Sequence, residues 1–172
     1  MIRSVLFVVL LCGLSFGRAH GADTAAGMAT IVEGPATLVR GKERLRIAEG
    51  VRVLPEDIVE TETAAFVRVE LSDGTILDLG PATRVLLLTK ATARGPRQPR
   101  LLYLLSGWVK LSMPGKPALP YVGFSSRLVD GVELAGTLLV RADDDLAMLF
   151  TESGSNRLAD RSDSGAPLPL TT

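Results

Sequence analysis

The sequence predicts an all-β protein, and three observations carry that expectation. Apolar and polar residues alternate with a period of two in FVRVEL (residues 66–71), ILDL (76–79) and WVKL (108–111). Gly, Pro and Asp interrupt these runs at intervals of about ten residues, the spacing of short strands joined by turns. No window of a dozen residues carries an apolar stripe at helical spacing with caps at its ends. The expected architecture is a set of short strands curled into a solenoid-like or roll-like body, with a β-sandwich as the alternative.

The first element is not part of that body. Arg3, the apolar run Val5 to Phe16 and the small-residue exit Ala19-His20-Gly21 have the order of a secretory signal peptide over residues 1–21, cut after Gly21 with Ala22 as the neighbouring option. The apolar run stops at Gly17-Arg18, short of the roughly 20 residues that span a bilayer. Leu11 before Cys12 lacks the small residue that a lipid-anchoring signal needs. Cys12 and His20, the only Cys and the only His, both fall inside this leader, so the processed chain has no thiol and no imidazole. Loss of Arg3 and Arg18 with it leaves 17 basic residues against 19 acidic ones. That balance exerts no long-range attraction on nucleic acid or an anionic membrane.

Residues 22–151 supply the all-β domain. Strands are expected at 36–40, 45–47 and 57–60, then at 66–71 and 76–79. Asp73-Gly74 lies between the last two, a dipeptide that turns hairpins because its residues tolerate positive φ. Asp78 sits on the strand face opposite Leu77 and Leu79. Further strands are expected at 84–88, 101–105, 108–111, 121–125, 129–134, 138–142 and 146–151. Residues 89–100 are basic and rich in Gly and Pro, and read as an exposed loop carrying Lys90, Arg94, Arg97 and Arg100. Residues 152–172 are polar and turn-rich, with too little apolar surface to offset the entropy of ordering, and read as a disordered tail.

Candidate chemistry is sparse. Asp73 and Asp78 bracket the apolar Ile76 and Leu77, which cannot complete the six or more oxygens calcium requires. Asp143-Asp144-Asp145 is the densest acidic cluster, and its position between two strands suits a solvated turn that discourages edge pairing. Gly41-Lys42 is followed by Glu43 where a phosphate loop needs Ser or Thr. Without His or Cys the common triads are excluded, and Ser112-x-x-x-Lys116 lacks S-x-x-K spacing. These residues point to no catalytic group, no metal site and no cofactor. Trp108 shares a strand face with Lys110 on the less buried side, and exposed Trp is enriched at binding hot spots. The candidate partner contacts are Trp108, Lys110, Arg94, Arg97 and Arg100.

Three segments, 50–87, 104–112 and 129–142, resemble the FecR domain, with their motifs in register. The residues that carry the resemblance are Gly50, Asp57, Ile58, Thr61, Asp73, Gly74, Thr75, Pro81, Gly107, Val109, Gly136, Thr137 and Val140. Leu139 stands where that family usually has Phe, and the basic loop looks like an insertion. The resemblance implies an all-β module of a Gram-negative envelope. In full-length FecR regulators such a module senses an outer-membrane receptor, while a cytoplasmic domain and a membrane helix pass the signal to a sigma factor. The sequence shows neither of those two parts. It is therefore read as a stand-alone, non-enzymatic protein-binding module, periplasmic or secreted, accessory to envelope signalling or assembly. Its expected partner is an envelope protein, and the alternative ligand is cell-wall glycan or peptidoglycan. Intact-mass measurement of the exported protein should place its first residue at Ala22; recovery of a chain that retains Met1 would refute the leader.

Overall fold

Alternation dictates the backbone, because a strand sends successive side chains to opposite faces and one face must be covered. The computed structural model describes residues 25–88, 100–113, 123–132, 134–160 and 167–168, and every regular element among them is a β-strand. The strands are β1 (Gly27–Glu33), β2 (Ala36–Arg40), β3 (Glu43–Arg46), β4 (Arg52–Val53), β5 (Ile58–Thr61), β6 (Phe66–Leu71), β7 (Ile76–Leu79) and β8 (Arg84–Leu87). They continue with β9 (Arg100–Ser112), β10 (Gly123–Ser125), β11 (Val129–Val132), β12 (Thr137–Ala142), β13 (Ala147–Ser153), β14 (Arg157–Asp160) and β15 (Pro167–Leu168). The all-β, roll-like expectation holds. No helix among the described residues is long and apolar enough to cross a membrane.

Two hydrogen-bonded series meet in β9. The first runs β4-β1-β6-β7-β9-β12-β13, and the second runs β3-β2-β5-β8-β9-β10-β11-β14-β15. The C-terminal half of β9 serves the first series: Leu77, Asp78 and Leu79 of β7 lie opposite Leu111, Lys110 and Val109, which lie in turn opposite Leu138, Leu139 and Val140 of β12. The N-terminal half serves the second, with Val85 opposite Leu104 and Leu87 opposite Leu102. Neighbours are antiparallel except β9 and β10, the one parallel pair among the described strands. The inward residues form one core cluster, with Val67, Val69, Leu77, Leu79, Val109 and Leu111 from one series and Leu38, Val59, Val85, Leu102, Leu104 and Phe124 from the other.

Gly107 is where β9 passes between sheets. Its φ is +87°, and a Cβ there would lie 2.5 Å from Thr83 Oγ1 and 2.6 Å from the Ala82 carbonyl. A side chain is excluded both by conformation and by space. The buried Thr83 hydroxyl accepts the Trp108 N–H at 3.0 Å and donates to the Trp108 carbonyl at 3.0 Å. Thr61, also buried, donates to the Gly80 carbonyl at 2.6 Å and accepts the Thr83 N–H at 2.9 Å. Two hydroxyls thus satisfy backbone groups that the bend takes out of the regular ladder. Residues 101–105 and 108–111, expected as separate strands, are one strand because Gly107 bends the chain without ending it.

Other departures have local causes. The hairpin between β6 and β7 is a three-residue loop, Ser72 to Gly74. The Leu71 N–H donates to the Thr75 carbonyl, and the Gly74 N–H to the Leu71 carbonyl. Gly74 alone of the Asp73-Gly74 pair takes a positive φ, +83°, while Asp73 accepts the Thr75 N–H at 3.0 Å. β1 has no counterpart among the expected strands because its register slips against β6 between Ala29 and Ile31, which breaks the alternation at Thr30. The segment expected to be a disordered tail from Glu152 onward instead extends β13 to Ser153 and supplies β14. Leu158 is buried in the core, and Arg157–Asp160 pair with β11 over four residues, so ladder bonds and one apolar anchor offset a polar composition. Replacing Thr83 by Val should lower the free energy of unfolding in a denaturant titration by about 1–3 kcal/mol, the cost of orphaned buried backbone groups. Thr83→Ser, which keeps the hydroxyl, should retain most of the stability; unchanged stability in Thr83→Val would show that the hydroxyl contributes nothing.

Candidate binding face

The outward face of the first sheet collects its polar and exposed apolar residues in rows set by strand register. One row runs Arg68 on β6, Asp78 on β7, Lys110 on β9, Leu139 on β12 and Phe150 on β13. Trp108, Arg141 and Met148 form the next row. Charge is concentrated on the β6–β7–β9 side and apolar surface on the β12–β13 side.

Asp78 is the most buried polar member. Its two oxygens take Arg68 Nε at 2.6 Å and Nη2 at 2.9 Å, a two-pronged contact that matches the guanidinium fork. The hydrogen bond to Asp78, reinforced by its negative charge, raises the Arg68 pKa above its ordinary value, so Arg68 stays cationic. Lys110, across from Asp78, reaches instead to Glu152 at 2.6 Å, past Leu139. With both carboxylate oxygens held by Arg68, Asp78 is a structural ion and not a ligand donor.

Trp108 lies flat on Gly80. A Cβ at Gly80 would fall 2.0 Å from indole Cε2 and Cζ2, so the ring occupies the place of the missing side chain. This is how an aromatic neighbour compensates a strand glycine. The ring is covered on the Gly80 side, and the residue as a whole is half-buried. Phe124 does the same inside the second sheet, its ring 2.2 Å from the position of a Cβ on Gly131.

The structure brings together two of the five sequence-predicted contacts, Trp108 and Lys110. Arg100 begins β9 in the other sheet, roughly 25 Å of strand away at about 3.3 Å per residue. Arg94 and Arg97 lie outside the described residues. Met148 and Phe150 were not anticipated on this face, and they are its most exposed apolar side chains at 54% and 64%. Residues 146–151, expected as a strand, carry apolar residues on both faces. Their exposure follows from β13 pairing only with β12 among the described strands.

The acidic cluster forms the β12–β13 turn as expected, closed by the Asp143 N–H donating to the Leu146 carbonyl. Its carboxylates diverge, Asp143 to Arg141 at 3.2 Å and Asp144 to Arg127 at 3.3 Å. Among the described residues no three His, Cys, Asp or Glu side chains are grouped to hold a metal ion. On the second sheet Glu60 joins Arg44 and Arg84, a surface network whose carboxylate is already engaged by two cations.

Compared with protein-family models, curated proteins and solved structures, the chain matches none. The seat of Trp108 on Gly80, the ion pair of Lys110 and the exposed pair Met148 and Phe150 therefore stand on their geometry alone. The chain has a single Trp, so its emission reports this site directly. Gly80→Ala should lift the indole from the sheet, shift its emission to the red and cost about 1–3 kcal/mol of stability. An unchanged spectrum would mean that the ring is not seated on Gly80.

Proposed function

We propose that this protein is a non-enzymatic binding module of the cell envelope, resembling the sensing domain of FecR-type regulators, and that it engages an envelope protein through the outer face of its first sheet. The observation that carries this reading is the arrangement of Trp108, Lys110, Met148 and Phe150 on one face. A rigid aromatic seated on its strand, an adjacent cation and exposed apolar side chains on a neighbouring edge are the composition of a protein-contact hot spot. The residues that carry the resemblance to FecR have structural roles in the fold. Asp57 is 1% exposed and accepts Arg40 Nη2 and the Leu54 N–H, each at 2.7 Å. Thr61 and Gly107 build the corner of β9, and Gly136, at φ +88°, starts β12 where a Cβ would meet the Ser153 carbonyl at 2.3 Å. These are structural duties, which a shared pattern of spacing would preserve.

A second reading rests on Trp108, the half-buried aromatic of this face, against which a sugar ring would stack. It makes the ligand cell-wall glycan. The two are separated by one experiment on envelope extracts and purified sacculi. The protein-contact reading expects a discrete envelope protein in stoichiometric amount, with recovery falling at least about tenfold for Phe150→Asp combined with Lys110→Glu, the cost of losing an interface hot spot. Arg44→Ala, on the other sheet, should leave recovery unchanged. Binding to sacculi that depends on Trp108 and ignores Phe150 would instead favour the glycan, and no specific recovery of either would remove both readings.

A further inference from the structure

The sulfur atoms of the described residues are all thioethers, in Met28, Met113 and Met148. The only Cys of the chain, Cys12, lies outside those residues and inside the expected leader. A two-electron oxidant that meets the fold therefore finds methionine as its softest target. The three differ in access. Met113 is buried at 7% exposure, Met28 is 44% exposed, and Met148 is the most open at 54%. Met28 lies on β1, five strand spacings from β13 and roughly 24 Å along the sheet at about 4.8 Å each. Met148 lies on β13 itself, beside the row position of Phe150 and on the face that carries Trp108.

We propose that Met148 is an oxidation site through which a hydroperoxide switches off the binding face. The terminal peroxide oxygen transfers to Sδ as the O–O bond breaks. The thioether loses two electrons and becomes a sulfoxide, while the peroxide is reduced to water or, if substituted, to an alcohol. Register decides what the new oxygen meets. Met148 stands opposite Arg141 on β12, and Arg141 stands opposite Trp108 on β9, so all three leave the same face. Directly opposed Cβ atoms lie about 4.5–5.5 Å apart, within the span of both long side chains. Arg141 gives Nε and Nη2 to Asp143 at 3.3 and 3.2 Å, and a guanidinium has five N–H donors, so others remain for a sulfoxide oxygen. The reduced face offers a partner an adaptable apolar group. The oxidised face offers a strong acceptor tied to a cation, which an apolar partner group would have to desolvate. The strand itself is held to β12 by backbone pairing and keeps its place. This switch presupposes the envelope-protein reading, and its test separates the two.

Hydrogen peroxide titrated onto the full chain, expressed with its own N-terminal segment, tests the switch. Peptide mass mapping reads sulfoxide at each Met, and capture from envelope extract reads binding. Met148 should convert first and Met113 last. Recovery of the envelope protein should fall at least about tenfold as Met148 converts, the cost of losing an interface hot spot. It should return after treatment with a pair of methionine sulfoxide reductases, one for each sulfur epimer. Met148→Leu, close in volume, should make recovery indifferent to peroxide, while Met28→Leu should leave it sensitive. Full recovery with Met148 converted, while Phe150→Asp with Lys110→Glu still loses binding, would overturn the switch and leave the binding face standing. A Met148→Leu chain silenced by peroxide all the same, or conversion of Met113 ahead of Met148, would also overturn it. Capture of no envelope protein by the reduced chain would remove the binding reading and the switch together.

Discussion

Everything in this fold turns on one strand having to satisfy two sheets. β9 offers its C-terminal half to β7 and β12 and its N-terminal half to β8 and β10. A straight strand cannot lie in both sheets once they curl apart. Gly107 supplies the conformation that permits the change of direction, and Thr61 and Thr83 supply the hydrogen bonds that the change would otherwise leave unmade. The core is continuous because of this corner. Remove it, and two apolar sheets have no common element.

The charges follow the same frame. On the first sheet Arg68 and Asp78 face each other across antiparallel neighbours, and Lys110 finds Glu152. On the second, Arg44 and Arg84 share Glu60, while Arg40 caps the buried Asp57. Asp57, Glu60 and Asp78 each have a guanidinium on an adjacent strand, which is what desolvation demands. The carboxylates left most exposed cluster at the β12–β13 turn, and the exposed cations at the β2–β3 hairpin. A chain with equal numbers of both signs is therefore locally polarised.

Much of this was legible before any coordinates. Residues 36–40, 66–71 and 76–79 are strands with the bounds that alternation assigns, because period-two patterns with one buried face admit a single register. The turn at Asp73-Gly74 was legible for the same reason. What escaped was non-local. Nothing in the order of residues says that 101–105 and 108–111 are one strand bent at a glycine, since glycine between strands ordinarily reads as a turn. The seat of Trp108 on Gly80 joins residues far apart in sequence. Exposure of Met148 and Phe150 depends on β13 having a neighbour on one side only, which is a property of sheet order and not of composition. β14 was hidden because its four residues are held mainly by backbone pairing, to which side-chain patterns are blind.

The sharing of β9 also governs the order in which the chain can become a protein. Synthesis and delivery proceed from the N-terminus, so β1 through β8 emerge before the strand that completes them. About 25 residues separate the end of β8 from the end of β9, on the order of a second or a few seconds at ribosomal rates of roughly 5–20 residues per second. During that interval β7 and β8 both present bare edges backed by Val and Leu side chains. The final architecture hides those edges permanently, yet a nascent chain must pass through a stage when both are open at once. Any chaperone that meets this chain during synthesis has to guard that stage more than any other.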